Sequence, residues 1–162
     1  MNEQRITHPF PAFCPPNARI LILGSFPSVK SREQLFFYGH PQNRFWRVLA
    51  ALFDEPVPAD IPQKKLLLEK HGIALWDVIG QCTIIGSSDS SIRDVVPNDL
   101  TPLLLRAPIE RIYVNGKTAE RYFLRYQKPV LHRDAVCLPS TSPANAARSL
   151  ESLLEAWRVI AE

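Results

Sequence analysis

The feature that most constrains this fold is the run Arg19-Ile-Leu-Ile-Leu-Gly24, apolar at every position between its ends and closed by a glycine. It is too brief for a buried helix and reads as a buried strand. Downstream, Phe45, Trp46, Leu49, Leu52 and Phe53 recur at helical spacing, with Asn43 placed as an N-cap. Pro62 opens a second helix, which Gly72 closes, and residues 73–78 form a second strand. A helix over 99–106, a strand over 109–114, a helix over 117–126 and a strand over 135–138 follow. Leu150, Leu153, Leu154 and Trp157 line a closing helix. Strands alternating with helices imply right-handed crossovers and helices on both faces of the sheet. The expected fold is α/β, a three-layer α/β/α sandwich around a short four-stranded parallel sheet. Residues 80–98, rich in Ser, Asp and Gly, are expected to be one long functional loop.

At 162 residues, 46% apolar and 22% charged, the chain is expected to pack as one domain over 1–162. Its first 13 residues lack the apolar stretch of a signal peptide, and no later run approaches membrane-spanning length, so a soluble, cytoplasmic protein is expected. Cys14, Cys82 and Cys137 lie far apart with no Cys-x-x-Cys pair. Neither a disulfide framework nor a metal ligand set can be read from them, and no metal and no cofactor are expected. The net charge of +3 suits a nucleic-acid partner but fits an ordinary solvated surface equally well.

In an open parallel sheet the ligand site lies beyond the carboxyl ends of the strands. At those ends stand Gly24-Ser25-Phe26-Pro27-Ser28, then Asp77, then Asn115-Gly116-Lys117, then Leu138-Pro139-Ser140-Thr141-Ser142. The most specific stretch is Phe36-Phe37-Tyr38-Gly39-His40-Pro41-Gln42-Asn43-Arg44-Phe45-Trp46, which runs directly into a helix. With the flanking Gly-Ser-Phe-Pro-Ser and Leu-Pro-Ser-Thr-Ser-Pro stretches, the chain resembles the uracil-DNA glycosylase superfamily, and within it the hypoxanthine-DNA (deoxyinosine) glycosylase branch. The resemblance covers roughly Arg19 to Asn145. Two positions depart from relatives: Phe26 stands where the mismatch-specific branch has a catalytic Asn, and Leu138 where many members have His. In the hypoxanthine branch the catalytic amide is attributed to the Asn of the His-Pro-x-Asn run, which is Asn43 here.

The resemblance implies a monofunctional enzyme that releases a deaminated base, hypoxanthine or uracil, from DNA. Such an enzyme extrudes the nucleotide and holds its base by stacking and edge hydrogen bonds. Phe26, Phe37 and Tyr38 are the stacking candidates, and Gly24, Ser25, Pro27, Ser28 and Asn115 complete the expected base-binding set. Asn43 would align the attacking water, with Asp77 the second catalytic candidate. Ser140, Thr141, Ser142 and Asn145 would grip the DNA backbone, and Lys30, Arg32, Arg44 and Arg47 would supply charge along its path. DNA is the expected partner, no membrane contact is expected, and the protein is expected to be a monomer.

Plainer roles stand beside these. Asn43 can simply cap a helix, and His40 before proline can be a loop hydrogen-bonding residue. Phe45 and Trp46 at helical spacing read as core rather than as stacking partners. Asp77 can position water, read the base, or serve a turn. Gly86 to Ile92 matches a Gly-Ser-x-Asp-x-Ser-Ile stretch of the family and can be a pocket wall or a solvated loop. Cys137 reads as a buried strand cysteine rather than a nucleophile, and Ser25 lacks a Gly-x-Ser-x-Gly elbow. A nucleic-acid-binding module without catalysis, or a nucleotide or nucleoside hydrolase, are the rival functions.

Overall fold

The computed structural model describes residues 2–162. An edge strand, β1 (Glu3–Thr7), precedes β2 (Ile20–Gly24), in which all five residues are buried. Helices α1 (Val29–Gln34), α2 (Phe45–Leu52) and α3 (Ile61–His71) follow. Three strands come next, β3 (Ile73–Asp77), β4 (Ile79–Ile85) and β5 (Arg93–Pro97), then α4 (Thr101–Arg106) and β6 (Arg111–Asn115). Helix α5 (Lys117–Tyr122) continues through a π-turn at Phe123–Gln127 into α6 (Lys128–Leu131). After it come β7 (Val136–Leu138) and α7 (Leu150–Trp157).

Strands β3-β2-β6-β7 form the parallel sheet expected from the sequence. Because side chains alternate across a strand, β2 feeds two cores. Leu21 and Leu23 pack with Ala74, Ile112, Val114 and Ala119 on one face. Ile20 and Ile22 pack with Phe45, Leu49, Tyr113 and Trp157 on the other. Those two faces, with helices over them, make the three layers.

The register places the site. Gly24 pairs with Asp77 across β2 and β3, Leu23 with Val114, and Asn115 with Leu138, so the four strands end on one level. The free edge of β3 is covered by the chain at Phe13, which exchanges two backbone hydrogen bonds with Leu75 of 3.0 and 2.8 Å. That cover blunts an edge otherwise open to pairing.

One expectation is corrected. Residues 80–98 are not one loop: β4 runs on from β3 after a bend at Val78 and pairs antiparallel with both β1 and β5 in a second, three-stranded sheet. Cys82 and Ile84 point into the core, and only residues 86–92 make the turn, around a 3-10 segment at Asp89–Ser91. Pro97 is tolerated because β5 is an edge strand. The helix read over 117–126 runs further, and the π-turn brings the Gln127 amide inward to donate to the carbonyls of Val78 (3.1 Å) and Asn98 (2.8 Å). No helix among the described residues is long and apolar enough to cross a membrane.

Candidate active site

A cavity of about 530 Å³ opens at the carboxyl edge of the parallel sheet. Gly24, Asp77 and Asn115 form its floor at three neighbouring strand ends. The Ser25–Ser28 turn, Phe37, Tyr38, His40, Asn43, residues 87–90 and residues 140–144 line the rest. Both catalytic candidates and all eight base-binding candidates read from the sequence therefore meet at one cavity. The turn at 87–90 is a wall of it.

Asn43 is half-buried and lines the cavity. The N-cap of α2 is Arg44, one residue beyond the Asn43 expected there, and it makes no side-chain cap bond; Asn43 Oδ1 instead accepts the Phe45 N–H at 2.9 Å in an Asx turn that leads into the helix. An amide oxygen has two lone pairs, which leaves one for a second donor. The turn and the chemistry thus share one atom. The next N–H, of Arg44, donates to the Thr141 carbonyl at 3.1 Å, which ties the start of α2 to the loop after β7. His40 does local work, its Nδ1 accepting the Gln42 N–H at 3.1 Å.

Tyr38 holds a left-handed backbone, φ 54°, that a bulky residue adopts only when its surroundings impose it. Stacking on Phe45, with centroids 4.0 Å apart and planes at 19°, supplies that constraint. Its hydroxyl is buried without a hydrogen-bond partner. Burial, and then the negative charge of Asp77, push its pKa well above the usual phenol range, so it stays a proton donor. Asn115 lies beside it and opposes this shift in part, while tying its amide to Thr141: Nδ2 donates to Thr141 Oγ1 (3.0 Å) and Oδ1 accepts the Thr141 N–H (3.1 Å), which leaves one donor and one lone pair. Phe26 and Phe37 are both buried, and both line the cavity.

Asp77 is buried at the end of β3, and its Oδ2 lies 2.7 Å from Nε2 of His8. Sequence reading passed over His8, because it sits in an N-terminal stretch with no apolar periodicity. Its ring is enclosed by Phe10 (4.5 Å), Trp76 (4.4 Å) and Phe26 (5.8 Å). Ser31 was also missed; its buried hydroxyl accepts the Gly39 N–H at 2.9 Å and fixes the turn before Asn43.

The floor leaves no room for a side chain at Gly24. A Cβ there would lie 2.5 Å from Asp77 Oδ1 and 3.3 Å from the Tyr38 hydroxyl. The carboxylate cannot swing aside without breaking its bond to His8, so Gly24→Ala is expected to cost about 1–3 kcal/mol of stability, as overpacking does. Urea unfolding measures this, and an unchanged midpoint would show that the floor yields freely.

The residues assigned to DNA divide. Ser140, Thr141 and Ser142 line the cavity, whereas Asn145, Lys30 and Arg44 do not. The Arg44 guanidinium donates to the carbonyls of Arg148 and Asn145 (3.0 Å to the latter), and Asn145 Nδ2 donates to the Ser140 carbonyl at 2.9 Å. Both staple the loop after β7. Lys30 is exposed and lies 3.4 Å from Glu33, Arg47 is exposed, and Arg32 donates to the Gly86 carbonyl at 3.0 Å. Cys137 lies outside the cavity, and burial raises its thiol pKa, with Glu120 adding to the effect, which disfavours the thiolate.

The sequence model of the Uracil DNA glycosylase superfamily matches residues 11–161. The chain belongs to this superfamily. Two hypoxanthine DNA glycosylases are close in sequence. The protein from Methanosarcina acetivorans is 38% identical over 141 residues, covering 84% of this chain and 86% of that one. That from Methanosarcina barkeri is 35% identical over 153 residues, covering 91% and 93%. Among solved structures, the solution NMR structure of a Methanosarcina acetivorans protein provisionally named a uracil DNA glycosylase matches with a TM-score of 0.76. It is 34% identical and the match covers 94% of this chain and 97% of that one. The superfamily's α/β/α frame is thus the frame seen here, with the cavity at its strand ends.

Proposed function

We propose that the chain, as one domain over 1–162, is a monofunctional DNA glycosylase that hydrolyses the N-glycosidic bond of a flipped-out deaminated base, with hypoxanthine first and uracil second. The observation that carries this is the single cavity in which Asn43, Asp77 and the aromatic residues 26, 37 and 38 converge. The names of the two archaeal relatives support hypoxanthine as the leading base.

Cleavage builds positive charge on the sugar and negative charge on the departing base. The site therefore needs an aligned water and donors aimed at the anion. The free lone pair of Asn43 Oδ1 orients the water, and the donors assigned to the anion are the N–H groups of Ser25, Phe26 and Ser28 in the turn that lines the cavity. No lysine and no cysteine lines the cavity, so water is the nucleophile that the site accommodates and a Schiff base has no side chain there to form it. Ser140 and Ser142 grip phosphate beside the extruded nucleotide, Arg44 and Asn145 hold their loop, and Lys30 adds charge from α1; Thr141, fully buried with its Oγ1 and N–H bonded to Asn115 and its carbonyl to Arg44, fixes the loop instead of touching DNA. The enzyme works as a monomer in the cytoplasm.

A duplex carrying one hypoxanthine, incubated with the protein and then treated with alkali, tests this reading. Strand breakage at the lesion, absent before alkali, is the expected result. An intact strand after alkali would refute base release.

A further inference from the structure

Two polar atoms near one point of the cavity floor make no hydrogen bond within the protein. The Tyr38 hydroxyl is buried with no partner. Asp77 Oδ1 receives no hydrogen bond from any described residue, since the only bond to this carboxylate, from His8, reaches Oδ2. Both atoms crowd the same point, the place where a Gly24 side chain would be. A buried hydroxyl without a partner costs stability, and one that stands near an unbonded carboxylate oxygen at a cavity is suited to a third party.

His8 explains why Oδ1 stays free. Its Nδ1 is also buried without a partner, so a proton on that nitrogen would be an orphaned donor. The arrangement that wastes least puts the proton on Nε2, where it donates to Asp77 Oδ2 at 2.7 Å. The backbone of His8 is fixed as well, its N–H donating to the Gly80 carbonyl at 2.8 Å. The imidazole therefore pins one oxygen of the carboxylate and leaves the other presented to the cavity as a pure acceptor.

We propose that Asp77 Oδ1 and the Tyr38 hydroxyl together read the edge of the extruded base, and that His8 is the positioning residue that holds Asp77 for this task. The inference rests on the base-excision reading above and deepens it by naming the substrate edge. An acceptor beside a donor matches a ring N–H beside a ring carbonyl. Hypoxanthine and uracil present that lactam edge: the ring N–H donates to Asp77 and the adjacent carbonyl accepts from Tyr38. Adenine and cytosine reverse it, with a bare ring nitrogen facing the carboxylate and an amino group beside it. The pair thus separates a deaminated base from its parent. Guanine shares the lactam edge, so its exclusion falls to another part of the cavity.

The test compares the affinities of two duplexes made uncleavable by a 2′-fluoro sugar. One carries hypoxanthine and the other, at the same place, an unsubstituted purine, which lacks the C6 oxygen and has no proton on N1. The wild-type preference for hypoxanthine is expected to shrink about 10- to 100-fold in Tyr38→Phe and in His8→Phe, the range for hydrogen bonds that involve a buried or charged partner. His8→Gln, which keeps a donor near Oδ2, should recover most of the loss. Tyr38→Phe keeps the ring and its stack on Phe45 and removes an orphaned hydroxyl, so its Tm should hold or rise while discrimination falls. A purely structural role would weaken both duplexes alike. An unchanged preference in Tyr38→Phe, or a His8→Gln variant as impaired as His8→Phe, would overturn the proposal. Wild-type protein with no preference for hypoxanthine would instead count against the base-excision reading itself.

Discussion

Asn43→Ala is expected to slow single-turnover release of hypoxanthine by about 10²- to 10³-fold, the loss that follows removal of one preorganised transition-state contact. The variant should still fold. Because Asn43 Oδ1 also accepts the Phe45 N–H at 2.9 Å, the alanine should lose about 1 kcal/mol of stability with that bond. Asn43→Ser separates the two roles: a serine hydroxyl can make the same i to i+2 turn, more weakly, yet it does not reach the position of the amide. Urea unfolding of Asn43→Ser should lie close to wild type, with its rate close to that of the alanine variant. A serine variant that releases base at the wild-type rate would reduce Asn43 to a turn residue.

Phe45→Ala is expected to cost about 3–5 kcal/mol of folding free energy, the range for truncating a fully buried aromatic residue. The ring is completely buried, meets Trp157 edge-on at 5.9 Å, and carries the stacked Tyr38 on its other side. Its loss removes the constraint that keeps Tyr38 at φ 54°, so base release should fall even at low temperature, where the variant remains folded. Equilibrium unfolding together with single-turnover kinetics checks both parts. A cost below about 1 kcal/mol would contradict the assignment of Phe45 to the core, since a cavity of that size cannot be filled cheaply.

The parts legible in the sequence were those set by local pattern. An unbroken apolar run such as Ile20 to Leu23 can be only a doubly covered strand, and once four strands lie parallel their last residues share one level. Gly24, Asp77, Asn115 and Leu138 could therefore be grouped with no contact known. Strand β1 was illegible for the opposite reason. Glu3 to Thr7 has one half-buried apolar residue, Ile6, and is a strand only because β4 offers it hydrogen bonds. His8, which follows it, was lost with it. In residues 80–98 the Ser and Asp cluster of a tight turn masked the inward Cys82 and Ile84 on its flank. Helix α1 is short and mostly polar, and its one local signal is the Ser28 hydroxyl accepting the Ser31 N–H at 3.2 Å. The double duty of Asn43 could not be divided from sequence, since a turn and a water-holding amide call for the same residue at the same place.

The claim that everything else serves is that water, aligned by Asn43, cuts the glycosidic bond with no covalent link to the protein. A single-turnover reaction on a hypoxanthine duplex, quenched with borohydride, tests it in one experiment. Free hypoxanthine should appear in step with abasic DNA, and no protein should remain attached to the strand. A borohydride-trapped protein–DNA species, or abasic DNA accumulating as fast with Asn43→Ser as with wild type, would contradict the account.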